Sequence, residues 1–274
     1  MSSVFALRDQ RDASSEARRA TARIARPLLI CLTMACALFL LARFAVLPLV
    51  TIRHVVFQSD ISLSEDELLS ISGLQGTSYW HSLAPDVVQK RLEAYPLVRR
   101  ARVEKVFPNT LRLTVWGRQA VALVLAEDAG RSLPVLVDDE GVVFKVCSTS
   151  AEVDLPVVSG LSVGDASLGS QLPASYAAIF ENLRDLRMRS PSLLRLISEV
   201  RVVPLSAGSP AGSYDLLIYL TSSSVPVRAT GTIDESLLKY SLMVLDLLSN
   251  QGVLKNIQEL DFRSGEVVYR MKEG

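Results

Sequence analysis

Few residues in this chain could perform catalytic chemistry, and none is placed in a full catalytic pattern of nucleophile, base and orienting group. The chain has two histidines, His54 and His81, and nucleophilic catalysis needs such a base oriented toward a nucleophile. Gly160-Leu161-Ser162-Val163-Gly164 matches the Gly-x-Ser-x-Gly pattern, but its glycines lack the strand-to-helix context that a nucleophile elbow needs. No His-Glu-x-x-His or phosphate-binding glycine-rich motif occurs. Spacing also singles out no pair of acids for glycoside cleavage, although spacing alone leaves such a pair open. The sequence therefore predicts a protein that is not an enzyme.

The densest acidic run is Asp138-Asp139-Glu140, followed by Gly141. Carboxylate oxygens suit hard cations, so a metal site is one interpretation of this run. The other interpretation is the charged turn of a hairpin, because the three acids are adjacent and the pattern supplies no further ligand. The second interpretation predicts neither a metal nor a cofactor. A third chemistry, an intradomain disulfide, is excluded beyond the first 50 residues because Cys147 is alone there.

Charge is distributed unevenly along the chain. Residues 1–50 contain seven arginines and three acids, which leaves 22 basic and 26 acidic residues in the remainder. A slightly acidic remainder lacks the basic surface that nucleic-acid binding requires. We therefore expect no nucleic-acid partner. The missing catalytic pattern likewise predicts no small-molecule substrate.

A nearly continuous apolar run from residue 27 to residue 50 predicts a transmembrane helix. The tail at residues 1–26 is basic and predicted to be disordered. Arginines 18, 19, 23 and 26 precede the run without intervening acids, which predicts a type II protein with its N-terminus in the cytoplasm. A cleaved signal peptide is the alternative, because Ala35-Cys36-Ala37 has the small-x-small pattern of a cleavage site.

The elements beyond the apolar run fall into two groups. In residues 51–117, the patterns predict strand, helix, helix, strand and strand, with a capping box from Ser64 to Glu67 opening the first helix. In residues 118–274, mostly strands are predicted, with one helix over 176–186 and another that opens at a Thr232-x-x-Glu235 capping box. The second helix is expected to face inward with Leu237, Tyr240, Val244 and Leu247. The fold class predicted is α+β, with an antiparallel sheet and two helices in the second group.

Three segments together resemble the bacterial FtsQ family of cell-division proteins, called DivIB in Gram-positive bacteria. The first is the helix–glycine–helix pattern from Leu63 to Tyr95, and the second is the pair of strands around Phe107-Pro108-Asn109. The third is Ile257-Gln258-Glu259-Leu260-Asp261-Phe262-Arg263 near the C-terminus. The family usually has Glu-Arg-x-Pro at the entry to its β domain, where this chain has Gly117-Arg118-Gln119-Ala120.

The resemblance implies a POTRA domain at 51–117 and an FtsQ-type β domain at 118–274, outside the inner membrane at the division septum. It implies a divisome scaffold that recruits single-pass division proteins similar to FtsB and FtsL, with upstream division proteins contacting the POTRA domain. An accessory of polypeptide export or outer-membrane assembly is the alternative function, and an anchored cell-wall hydrolase is a third.

Two candidate interaction sites follow from the residues and the resemblance. A terminal strand can leave an unpaired edge that accepts a partner's strand. The residues of this partner-binding edge are Ser264, Gly265, Glu266, Val267, Val268, Tyr269 and Arg270. A basic group in the first unit is either a docking face for acidic segments or headgroups, or a solvated strand face. Its residues are Arg99, Arg100, Arg102, Lys105 and Arg112.

Overall fold

The computed structural model describes residues 27, 29–41, 51–52, 54–74, 80, 82–128, 131–148, 153–161, 167–205 and 213–272. Residues 29–41 are helical and form α1. None of the helices within these ranges is both long enough and apolar enough to cross a bilayer. The prediction for the tail at 1–26 lies outside the described residues, and so do residues 28 and 42–50 of the apolar run.

The first unit is a small sheet of three strands covered by two helices. Its elements are β1 (His54–Ser59), α2 (Glu65–Ser72), α3 (Pro85–Glu93), β2 (Val98–Val106) and β3 (Thr110–Gly117). The strand order is β1-β3-β2, with β1 parallel to β3 and β2 antiparallel to it. Leu68 and Leu92 from the helices pack with Leu111 and Leu113 from β3 in one apolar core. The predicted order of these five elements is confirmed.

Local sequence signals explain where α2 begins and ends. The Ser64 side chain accepts a hydrogen bond from the Glu67 N–H, and the Glu67 carboxylate accepts one from the Ser64 N–H, as the capping box predicts. Gly73 ends the helix in the left-handed conformation at φ 71°, which a glycine adopts without steric cost.

The second unit is a sheet of nine described strands with helices packed against it. Its strands are β4 (Ala122–Asp128), β5 (Arg131–Val137), β6 (Val143–Val146), β7 (Val157–Ser159), β8 (Ile197–Pro204), β9 (Tyr214–Leu220), β10 (Val227–Thr230), β11 (Ile257–Asp261) and β12 (Val268–Met271). Its helices are α4 (Ala177–Arg189), the single turn α5 (Pro191–Leu194) and α6 (Glu235–Asn250). The strand order is β12-β11-β10-β9-β8-β7-β4-β5-β6. The order places β12 at one end of the sheet.

The prediction of an antiparallel sheet with two helices is wrong in part. The pairs β4·β7, β7·β8 and β10·β11 are parallel, and α5 is a third helix. The reason for two of these pairs is a helical crossover, since α4 connects β7 to β8 and α6 connects β10 to β11. The two long helices were predicted, and the α+β class holds for both units.

The start of α6 corrects a second prediction. The N-cap is Asp234, whose carboxylate accepts the Leu237 N–H at 2.7 Å, and no capping box forms from Thr232 to Glu235. Glu235 instead pairs with Lys239 one turn on, and the Ser190 hydroxyl donates to it at 2.8 Å. An aspartate directly before the helix occupies the capping position, so Thr232 lies too far upstream.

The inward face of α6 also differs from the predicted one. The buried residues are Leu238, Ser241, Leu245 and Leu248, one position along from the predicted Leu237, Tyr240, Val244 and Leu247. Leu237 and Val244 pack partly against the core, whereas Tyr240 and Leu247 are exposed. The helix is apolar around more than half of its circumference, so periodicity alone does not fix which side faces the sheet.

The two units meet at a buried cluster of ion pairs around the β5–β6 turn. Asp138 is fully buried, pairs with Arg118, and accepts the N–H groups of Glu140 and Val142 through its Oδ1 atom. Arg99 at the start of β2 pairs with Asp139 at 2.9 Å, so this contact links the two sheets. The hairpin predicted for the acidic run is confirmed, but Asp138 and Asp139 are buried at the junction between the units, and only Glu140 is about half exposed.

Apolar contacts support the same junction. Leu97 packs against Leu136, Phe144 and Cys147, and its carbonyl accepts the Arg118 N–H at 2.9 Å. Gly117 lies close to the β1–α2 loop, since a Cβ atom there would lie 2.0 Å from the Ile61 side chain. A glycine at this position therefore lets the β1–α2 loop approach the end of β3.

Candidate functional site

The C-terminal edge strand β12 is the candidate site that the topology leaves open. Its residues pair with β11 on one side, and it is the last strand of the sheet among the described residues. The Lys272 N–H donates to the Asn256 carbonyl at 2.8 Å. Because amides alternate in direction along a strand, those of Arg270 and Val268 also point toward β11. The amides of Tyr269 and Met271 therefore point toward the open edge.

The seven predicted edge residues lie together at this end of the sheet. Ser264 and Gly265 form the turn between β11 and β12, where Gly265 has a φ of 81°. Glu266 follows, and its carbonyl accepts the Ser264 hydroxyl at 3.2 Å. Val267 packs against the main core, while Val268, Tyr269 and Arg270 belong to β12 and are exposed. The strand and its turn were predicted, and the binding role of these residues stays a prediction.

A chain of alternating charges crosses the sheet beneath this edge. Arg228 on β10 pairs with Asp215 on β9 at 3.2 Å and with Glu259 on β11 at 3.1 Å. Arg263 extends the chain at one end, pairing with Asp215 at 2.8 Å, and Arg270 on β12 extends it at the other, 3.5 Å from Glu259. Both ends of the β11–β12 hairpin are therefore tied to inner strands of the sheet.

The charge chain is stabilised where it is buried. Burial alone would lower the pKa of Arg228, but hydrogen bonds and charge interactions with Glu259 and Asp215 outweigh that effect and raise it. A hydrogen bond from Arg263 lowers the pKa of Asp261 below its ordinary value. Both pKa shifts favour the charged forms of Arg228 and Asp261. An open cleft of about 490 Å³ adjoins this chain of charges and is lined in part by Asp215, Arg263 and Val268.

The opposite face of the edge is apolar. Tyr269 pairs with Leu260, a core residue, and paired residues on neighbouring strands share a face, so Tyr269 lies on the side that α6 covers. Three exposed residues one turn apart on α6 form an apolar stripe: Tyr240, Met243 and Leu247. The Tyr240 ring meets that of Phe262, just after β11, at 5.5 Å in an edge-to-face contact. The stripe therefore begins beside the edge hairpin.

The five residues of the predicted basic docking face are not all brought together. Arg100 and Arg102 on β2 and Arg112 on β3 are exposed, and Arg102 pairs with the intervening Glu104 at 2.6 Å. Arg99 lies in the junction between the units, and the Lys105 ammonium donates to the Trp80 carbonyl at 2.6 Å. Three of the five therefore share one surface, and the docking role stays a prediction.

Sequence reasoning missed the charge chain and the α6 stripe. A signal for the first was present, because Asp215 and Arg228 each interrupt an otherwise apolar strand. Such a charge on a half-buried strand requires a partner. Among the residues that the structure describes, no group of three or more histidine, cysteine or acidic side chains is placed to hold a metal ion.

The family model and the relatives that match this chain agree with one another. The family model for the POTRA domain, FtsQ-type, matches residues 50–116, which includes the whole of the first unit except its last residue. A cell division protein FtsQ from Anaeromyxobacter sp. (strain K) is 27% identical over 221 residues, covering 78% of this chain and 69% of that protein. FtsQ of Bradyrhizobium diazoefficiens is 36% identical over 109 residues, covering 40% of this chain and 31% of the relative. DivIB of Geobacillus kaustophilus is 30% identical over 146 residues, covering 52% and 54%.

Proposed function

Because this chain belongs to the FtsQ/DivIB family of cell division proteins, we propose that it is a non-catalytic scaffold that positions other division proteins at the septum. Residues 27–50 anchor it in the inner membrane with the N-terminus in the cytoplasm, as their apolar run and the arginines before it favour. The POTRA domain at 51–117 and the β domain at 118–274 then lie on the far side of the membrane. Anchoring restricts partners to the membrane plane and raises their effective concentration.

The observation that carries this proposal is the open edge of β12. A partner segment in extended conformation adds to the sheet as a further strand, accepting from and donating to the outward-facing backbone groups of Tyr269 and Met271. Its side chains on one face meet Tyr269 and the α6 stripe, and those on the other meet Arg270 and Val268. This edge therefore selects a partner segment in which apolar and polar residues alternate.

The partners we propose for this edge are the small coiled-coil membrane proteins similar to FtsB and FtsL, and upstream division proteins contact the POTRA domain. The family resemblance supports this assignment. The exposed arginines at 100, 102 and 112 offer acidic segments of an upstream protein a basic surface. Steering by such a surface depends on ionic strength, so this contact weakens as salt is raised.

The test compares two substitutions at one position in the full chain. Tyr269→Pro removes the outward N–H and leaves the bonds to β11 intact, whereas Tyr269→Ala removes the side chain and keeps the N–H. We expect the proline variant to bind the FtsB/FtsL-like pair about tenfold or more weakly than the alanine variant. Equal affinity of the two variants, with unchanged thermal unfolding, would rule out strand addition at this edge.

A further inference from the structure

The β2–β3 hairpin tip lies at the same level of the first unit as the start of β1. The His54 N–H donates to the Asn109 carbonyl at 3.3 Å, and His54 is in register with Thr110. The predicted anchor ends at Val50, four residues before His54. Because a chain spans at most about 3.6 Å per residue, the start of β1 at His54 lies within roughly 15 Å of the point where the chain leaves the bilayer, and the tip lies beside it. This step depends on the anchor proposed above.

The side chains at this tip have the composition of a membrane interface. Phe107 is 81% exposed, the highest value for a large hydrophobic residue in the described part of the chain. Its ring meets Trp80 edge-to-face at 6.5 Å, and the Lys105 ammonium lies 5.7 Å from the centre of the Trp80 ring. We call Trp80, Lys105, Val106 and Phe107 the aromatic tip. Tryptophan is enriched at the headgroup level, and lysine extends its charge to the same level.

The two segments of the first unit nearest the predicted anchor contain no acid. Lys105 is the only charged residue between 105 and 111, and no acid occurs between 51 and 54. Several acids lie at the other end, where Asp60 accepts the Gly117 N–H at 2.6 Å and Glu65, Asp66 and Glu67 occupy the first turn of α2. Glu104 lies nearer the tip, but it is paired with Arg102 at 2.6 Å. An anionic bilayer surface attracts the first end and repels the second. Lys105 and the exposed Phe107 ring therefore favour the same orientation.

We propose that the aromatic tip inserts into the headgroup region of the membrane in which the chain is anchored. The first unit then stands on the bilayer with β2 and β3 running away from the surface, and the junction with the second unit lies at the distal end. This contact removes the Phe107 ring from water and gives the unit a second attachment beside the anchor. It fixes the height at which the β12 edge meets its partners.

The two tryptophans of the chain provide a matched measurement. The full chain is reconstituted in nanodiscs with an anionic lipid and a headgroup-labelled quencher lipid. Trp116→Phe leaves Trp80 as the only tryptophan, and Trp80→Phe leaves Trp116, one residue from the distal end of β3. We expect the quencher lipid to suppress Trp80 emission and to leave Trp116 emission unchanged. In the Trp116→Phe background, Phe107→Ser should reduce the quenching of Trp80.

Each other outcome has a distinct meaning. Trp80 emission that is insensitive to the quencher, in protein that co-elutes with the discs, would overturn insertion of the tip while leaving the anchor intact. Failure of the chain to co-elute with the discs would overturn the anchor and, with it, contact of the tip with the bilayer.

Discussion

Substitution of Asp138 tests how strongly its buried ion pair with Arg118 stabilises the second unit beside its junction with the first. Asp138→Ala leaves Arg118, whose side chain is 13% exposed, with only the half-exposed Glu140 as a partner. It also leaves the N–H groups of Glu140 and Val142 without their acceptor. Removing one member of a buried pair costs about 3–5 kcal/mol, because the remaining charge stays buried without compensation. At roughly 2–4 °C per kcal/mol for a unit of this size, unfolding should occur roughly 10 °C lower.

The assay is thermal unfolding of the full chain, followed by intrinsic fluorescence in the same detergent for every variant. Asp138→Asn retains an oxygen acceptor but removes the charge, so it should lower the unfolding temperature less than Asp138→Ala does. Glu140→Gln is the control, because an ion pair with a 48% exposed side chain contributes at most about 1 kcal/mol. Equal unfolding temperatures for Asp138→Ala and Glu140→Gln would refute the reasoning.

Three further predictions concern local interactions. Ser64→Ala should lower the free energy of unfolding of the first unit by about 1 kcal/mol because α2 loses its cap, and an unchanged denaturant midpoint would contradict the assignment. Asp234→Ala should lower the free energy of unfolding by about 1 kcal/mol, whereas Thr232→Ala should leave it almost unchanged. Equal decreases in the two variants would contradict the corrected start of α6. Because Arg263 lowers the pKa of Asp261 below its ordinary 3.8, the stabilisation is complete above that pH and lost as the pH falls through the lower native pKa. Arg263→Gln should therefore lower the unfolding temperature more at about pH 6 than at about pH 2, and a pH-independent effect would contradict the pairing.

Local chemistry made much of the first unit predictable from sequence. The capping box at Ser64, the glycine at position 73 and the alternation of Leu111 and Leu113 each act within a few residues, so their effects can be inferred from neighbouring positions. The same kind of signal gave a wrong helix start at Thr232, where a capping-box pattern lies two residues before the stronger cap at Asp234. Overlapping signals within one turn are decided by which backbone N–H groups each side chain reaches.

Strand pairing in the second unit could not be inferred in the same way. A strand pattern shows which residues alternate but not which neighbour the strand adopts, because pairing joins residues far apart in the chain. The parallel pair of β10 and β11, for example, depends on α6 crossing over the sheet between them. The apolar residues Leu193 and Leu194 likewise precede β8 without belonging to it, because Pro191 opens the short helix α5 and the strand begins only at Ile197.

The candidate site was predictable only in its backbone. The Ser264-Gly265 turn and the terminal strand follow from local patterns, and a terminal strand is a natural edge. The charge chain beneath it joins residues from four strands, so no segment of sequence contains it. Tyr240 and Leu247 were assigned to the core because their spacing suits either side of an apolar helix. Tertiary packing placed them on the surface beside the edge.

Amide hydrogen exchange along β12 tests the scaffold account most directly. Exchange at Tyr269 and Met271 in the full chain is measured alone and with the FtsB/FtsL-like pair bound. Strand addition predicts that these two outward-facing amides become protected on binding, while Arg270, already directed at β11, changes much less. Partner binding that leaves Tyr269 and Met271 exchanging at their free rate would contradict the claim that this edge recruits the partner.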